Sequence, residues 1–228
     1  MSRSAEARPV RDRQEPPAPN APSTRKVFNR SSFEGDFLVS VPDQTAKDFE
    51  KYAPESQFCE YVEGTIYMPS PVSDRHQEWI LFLVDMFNGF KWLRGGLGQI
   101  LMGPAVLRLS PERLLEPDIF IRDPEPNPEN PPARFVLEVL SPSNRTYDLE
   151  WKSAFYQEAL IPEIWYVDGK ELALVIDRRT GDSYERIRLS SGILISEVLA
   201  GFWIDVSWLW AQPLPNPREC LDRILAGP

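Results

Sequence analysis

Arg134-Phe135-Val136-Leu137-Glu138-Val139-Leu140-Ser141 places a carboxylate inside a run of β-branched, aromatic and aliphatic residues, bounded by Pro131-Pro132 before it and Pro142 after it. Such a run predicts a short, fully buried strand. An ionised glutamate in that position is costly unless a cation, a metal ion or hydrogen-bond donors meet it. Some other part of the chain must therefore supply a partner for Glu138.

The segments on either side offer candidates. Downstream, a helix is expected from about Thr146 to Leu160, with Leu149, Phe155, Tyr156 and Ala159 facing inward and Ile161-Pro162 as its stop. Ile164-Trp-Tyr-Val-Asp168 then reads as a second buried strand, parallel to the first through a helical crossover. Lys152 follows Asp148 by four residues, a spacing that an exposed helical ion pair would explain. Upstream, Glu116-Pro117-Asp118-Ile119-Phe120-Ile121-Arg122-Asp123 predicts a strand with Asp118 at its start, and 123–132 is a proline-rich loop. An aspartate after proline is also ordinary turn chemistry.

Nearer the N-terminus, 43–52 reads as a short helix capped by Asp43 or Thr45. Residues 58–68 alternate around Glu63-Gly64 and predict a hairpin with a two-residue turn. The alternation puts Glu60 on the face of Phe58 and Val62, although a water-exposed edge would explain it equally well. A longer helix runs from His76 to about Leu93, with Trp79, Ile80, Leu83, Phe87 and Phe90 at helical spacing and Ser73 or Asp74 (in a box with Gln77) as cap. His76, the only histidine, falls in its first turn, where a surface position near the cap is the plain reading. Gly95-Gly96-Leu97-Gly98 lacks the surroundings of a phosphate-binding loop. Further strands are expected at 105–109, 171–177, 183–189 and 202–206, a turn at 111–115, and a short helix at 207–210.

Composition sets the outer limits. With 228 residues, 42% hydrophobic and 11% aromatic, the chain can bury one sizeable core. Residues 1–30 are rich in proline and arginine and predict a disordered basic tail, 31–212 a single domain, and 213–228 a C-terminal tail with at most a turn of helix at its end. No apolar run is long enough to span a membrane, and Met1 to Val10 lacks the apolar core of a secretory signal. Cys59 and Cys220 are distant and without metal-ligand spacing, which favours a reduced, cytoplasmic protein. The net charge is −9, yet residues 1–30 carry seven bases against three acids, which leaves −13 for the rest. That is a poor electrostatic footprint for a nucleic-acid binder. A Ser-His-Asp hydrolase is disfavoured by the single histidine and the lack of a Gly-x-Ser-x-Gly elbow.

Asp118 and Glu138 stand twenty residues apart on successive predicted strands. If those strands are neighbours, the two carboxylates meet at one end of the sheet and form an oxygen site for a hard divalent ion such as Mg²⁺. Without a cation, their proximity would raise at least one pKa. Pro117-Asp118, then Glu138 on a strand, then a nearby lysine resembles the PD-(D/E)xK nuclease superfamily. Its common form has the lysine two residues after the glutamate, where this chain has Leu140. The wider pattern, Glu138-Val-Leu-Ser-Pro-Ser143, Asp148, Lys152, Tyr156 and Ile161-Pro-Glu-Ile-Trp-Tyr-Val-Asp168, is similar to the Uma-two family of restriction endonucleases within that superfamily. In that family the lysine has moved to the helix after the glutamate strand. Glu60, Gly64 and the helix start at 73–76 share in the resemblance, which spans about 35–208.

The resemblance implies an α/β fold with a restriction-endonuclease-like core, a mixed β-sheet flanked by helices. It further implies a metal-dependent endonuclease acting on DNA. Asp118, Glu138 and the main-chain carbonyl of Val139 would hold Mg²⁺ or Mn²⁺, Lys152 would assist the attacking water, and Glu60 would be an additional acidic residue. His76 and Tyr156 would line the pocket, and a homodimer would pair two sites. The acidic body keeps a second reading open: a catalytically silent relative that binds nucleic acid or protein through the same fold.

Overall fold

Phe135–Val139 is a strand in which every residue is buried. The computed structural model describes residues 39–53, 58–125, 127–141 and 145–228; the basic N-terminal segment 1–30 lies outside them. Along the described chain the elements are β1 (Val39–Val41), α1 (Ala46–Tyr52), β2 (Glu60–Val62), β3 (Thr65–Met68), α2 (Asp74–Arg94), β4 (Gln99–Met102), β5 (Leu107–Ser110), β6 (Arg113–Leu115), β7 (Ile119–Arg122) and β8 (Phe135–Val139). A π-helical turn, Tyr147–Lys152, then leads into α3 (Ser153–Glu158). Beyond it lie β9 (Glu163–Asp168), β10 (Ala173–Thr180), β11 (Ser183–Leu189), β12 (Ile193–Ile195), β13 (Trp203–Asp205), a 3₁₀ turn (Val206–Trp210) and α4 (Pro217–Ala226).

The central sheet has six strands in the order β11-β10-β9-β8-β7-β4. β8 and β9 run parallel, as the crossover requires, and the remaining pairs are antiparallel. Because side chains alternate along a strand, β8 divides its residues between two cores. Phe135, Leu137 and Val139 join one that α2 covers with Ile80, Leu83, Phe87 and Phe90. Val136 and Leu140 join the other, which Tyr156 of α3 and Val62 of β2 complete. Glu138 has the parity of Val136 and so turns toward the second core. A five-stranded antiparallel sheet, β1-β3-β2-β6-β5, brings β2 to that side.

Local chemistry explains the helix starts. Thr45 caps α1 with a reciprocal capping box to Asp48. Of the two expected caps, Ser73 and Asp74, it is Ser73 that caps α2, by accepting the N–H of His76. The Glu63-Gly64 turn has positive φ at both residues, which glycine provides without steric cost.

Several expectations need correction. The expected turn at 111–115 contains β6, and the expected strand at 105–109 lies slightly later, at Leu107–Ser110. The strand expected at 171–177 is Ala173–Thr180. Residues 213–228 are no tail. Asn216 and Pro217 start α4, whose Cys220, Leu221 and Ile224 are buried in the core beneath α2. The approach is close: a Cβ on Gly89 would lie 2.3 Å from Leu221 Cδ1. The tryptophans near this end are also core groups, with Trp203 and Trp208 buried and Trp79 edge-on to Trp210. Leu221→Ala should therefore lower unfolding stability by about 2–5 kcal/mol, read from urea denaturation. A neutral result would mean that α4 contributes nothing to the fold.

Candidate active site

Register brings the first two acids together. One residue beyond the Ile119↔Leu137 pair of β7 and β8, Asp118 falls opposite Glu138. The main chain holds both: the Val139 N–H donates to Asp118 Oδ2 at 2.7 Å, and the Asp118 N–H reaches Glu138 Oε2 at 3.4 Å. Each side chain is buried. Burial raises the pKa of both carboxyls, and for Asp118 the neighbouring Glu138 charge raises it further.

Lys152 arrives from the end of the π turn, only 4% exposed. Its ammonium donates to Glu138 Oε1 at 2.5 Å and to Glu60 Oε1 at 2.9 Å, with Asp148 Oδ1 at 3.6 Å. The Asp148–Lys152 spacing is thus a buried contact and not the exposed pair that local pattern suggests. Burial pushes the lysine pKa down, but the charges of Glu138 and Glu60 outweigh that and hold it well above its ordinary value. Asp148 is itself raised, by burial first and then by Glu138 and Glu60, against the lowering effect of Lys152.

Glu60 comes from β2 in the other sheet. It accepts from the Glu116 N–H at 3.2 Å and from the Tyr147 hydroxyl at 3.0 Å. Glu116 in turn accepts the Cys59 N–H at 2.8 Å, and burial pushes its carboxyl up to about 7. Tyr156, one helical turn beyond Lys152, donates to Glu138 Oε1 at 2.6 Å. His76 is 6% exposed, not on the surface, and its Nε2 lies 3.2 Å from Asp118 Oδ2. Burial lowers its pKa to about 4, so the ring is neutral at pH 7 and its Nε2–H can donate to Asp118. Its buried Nδ1 has no hydrogen-bond partner among the described residues.

The structure thus brings Glu60, His76, Asp118, Glu138, Lys152 and Tyr156 into one cluster, with Val139 contributing its main chain. Sequence reasoning missed Tyr147 and Glu116 as members, and it took Asp148 as an exposed partner of Lys152 and as part of the family pattern without a role in the site. A tyrosine five residues before Lys152 carries a signal only once the segment is known to be π-helical, since the i→i+5 turn sets the facing residues.

Such a cluster can neutralise and orient: acceptor oxygens converge on one cation across two sheets, in a site shielded from water. The family model described as "Putative restriction endonuclease" (Uma2) matches residues 46–207, more than two thirds of the chain. The chain belongs to the Uma2 family. That match spans every residue of the cluster, from Glu60 to Tyr156. A crystal structure described as "a putative nuclease belonging to DUF820 from Anabaena variabilis" is similar in fold, with a TM-score of 0.59 and 15% identity over 73% of this chain and 97% of that one. Curated proteins give no match. The α/β architecture is restriction-endonuclease-like, and no helix among the described residues is long and apolar enough to cross a membrane.

Proposed function

We propose that the protein is a divalent-metal-dependent endonuclease that hydrolyses phosphodiester bonds of DNA. The observation that carries this reading is the position of Lys152. It leaves a helix, not the glutamate strand, yet its ammonium reaches Glu138 at 2.5 Å beside Asp118.

The donor set suits Mg²⁺ or Mn²⁺. Glu138 Oε1 is engaged by Lys152 and Tyr156, whereas Oε2 receives only the long 3.4 Å N–H of Asp118 among the described residues. Oε2 and the Asp118 carboxylate are therefore the oxygens that would hold the ion, with the carbonyl of Val139. No group of three or more acidic, histidine or cysteine side chains forms a ready-made cage among the described residues. Mg²⁺ commonly binds through one or two carboxylates and completes its shell with water and substrate phosphate. When bound, it would polarise a phosphoryl oxygen and lower the pKa of bound water.

The chain's own groups have distinct tasks. Lys152, kept protonated by Glu138 and Glu60, acts as a cation that orients the attacking water and stabilises charge growing on the phosphorane. Glu60 is the additional acid that holds the ammonium in place. His76 and Tyr156 fix the Asp118 and Glu138 carboxylates by hydrogen bonds. We place the enzyme in the cytoplasm as a homodimer that presents two sites to DNA; the buried, unpaired thiols of Cys59 and Cys220 fit a reducing compartment.

Cleavage of plasmid DNA with Mg²⁺ or Mn²⁺, compared among the parent, Asp118→Asn and Lys152→Met, tests the reading. The parent should cut and both variants should lose at least about 100-fold in rate. Equal rates in all three would assign the activity to a contaminant or another site. A silent binding module is the second reading, favoured by the −13 charge outside residues 1–30. It predicts DNA or protein binding with no cleavage by the parent in either metal.

A further inference from the structure

Trp151 precedes Lys152 on the π turn and, unlike the buried lysine, has 53% of its surface exposed. Its ring packs on Tyr147 at 6.2 Å between centroids, and Tyr147 packs on Tyr67 of β3 at 5.8 Å. The Tyr147 hydroxyl donates to Glu60 at 3.0 Å, and Glu60 holds Lys152 at 2.9 Å. A continuous aromatic strip therefore runs from the buried cluster to the surface. A lone exposed tryptophan needs no explanation. This one is the outer end of a strip whose middle ring, Tyr147, hydrogen-bonds to the cluster.

We propose that Trp151 is a stacking subsite for an unpaired nucleobase on the strand held at the Glu138 cluster, an inference that rests on the nuclease reading. Electrostatics point to this ligand. Most non-specific affinity for duplex comes from basic side chains on phosphates, and the chain outside residues 1–30 carries −13. Stacking on an aromatic face does not depend on charge and tolerates any base. An intact duplex keeps its base faces stacked internally, so the strip selects a single strand, a frayed end or an extruded base. Tyr147 backs the indole and Tyr67 packs on Tyr147 in turn, which limits the rotamer freedom lost when a base arrives.

Fluorescence anisotropy with labelled oligomers of about twelve nucleotides tests the subsite. The full-length parent, Trp151→Ala and Trp151→Phe are compared in calcium buffer, with thermal midpoints confirming that the variants are folded. The probes are oligo-dT, oligo-U, an abasic deoxyribose oligomer and a blunt duplex. Trp151→Ala should weaken binding of base-bearing single strands by about 5- to 100-fold and leave the abasic oligomer unchanged. Trp151→Phe should restore most of the loss. A loss confined to oligo-dT or to oligo-U identifies the natural strand as DNA or RNA. Equal binding of the base-bearing strands by parent and Trp151→Ala, in a parent that still cuts DNA, overturns the subsite and leaves the nuclease reading intact. An equal loss on the abasic oligomer also overturns it. A parent that neither cuts nor binds any probe overturns both.

Discussion

Replacing Lys152 by alanine is expected to abolish DNA cleavage and to lower folding stability by about 3–5 kcal/mol, because it strips a buried ion cluster of its cation. Glu138, Glu60 and Asp148 all lie within 3.6 Å of that ammonium. The sign of the pH dependence follows from the carboxyls. Asp118, Glu138 and Asp148 already have folded-state pKa values above their ordinary ones, and in each case Lys152 acts to lower them. Without the lysine they rise further. A carboxyl with a raised folded pKa favours folding while protonated and loses that contribution as pH rises through its folded value. The defect in Lys152→Ala should therefore be larger at about pH 8 than at about pH 5, in urea denaturation at both. Added Mn²⁺ should recover part of the stability at the higher pH, since a divalent ion replaces the missing positive charge. A variant as stable as the parent at both pH values would show that the cluster does not depend on the ammonium.

Glu138→Gln should separate chemistry from folding. The amide keeps the shape of the side chain and an oxygen to accept from the Tyr156 hydroxyl and the Lys152 ammonium; it removes the negative charge of the 2.5 Å ion pair with Lys152 and disturbs the 3.4 Å contact with the Asp118 N–H. Lys152 keeps Glu60 at 2.9 Å and Asp148 at 3.6 Å. Removing one buried charge also relieves repulsion on Asp118. Stability should stay within about 1 kcal/mol of the parent, while cleavage falls by at least about 100-fold. Metal titration by calorimetry should show weakened binding in parallel. If Glu138→Gln cuts at the parental rate, Glu138 is not a metal ligand, whatever its position.

The contrast between these two residues shows what local sequence can convey. The Glu138 strand was legible because a buried strand between prolines leaves a local pattern, and register with β7 then made Asp118 its natural neighbour. The crossover to β9 was legible for the same reason. Lys152 was not legible from spacing alone. An acid and a lysine four residues apart look the same on an exposed helix face as in a buried one, and the resemblance to a nuclease family supplied the choice. The burial of Glu60 and His76 depends on a second sheet and on the start of α2 meeting the central sheet, contacts with no local signature. β4, β6 and β12 are only three or four residues long, too short for alternation to register. α4 was read as no more than a turn of helix because Pro213, Pro215 and Pro217 suggested a tail, although the spacing of Cys220, Leu221 and Ile224 is that of an amphipathic helix.

The π turn at Tyr147–Lys152 bears on how this site changes between generations. It carries one residue more than an α-helical turn of the same span. Loss of a single codon there would let the helix run on as a regular α-helix, and each residue upstream of the deletion would turn by about 100° relative to those beyond it. Tyr147 and Asp148 would then no longer face the cluster together with Lys152, while the central sheet and the core beneath α2, to which this turn contributes no side chain, kept their packing. Reading-frame-preserving deletions in this stretch are thus a short genetic route from an assembled cluster to a folded protein without it, and one-residue insertions a route back.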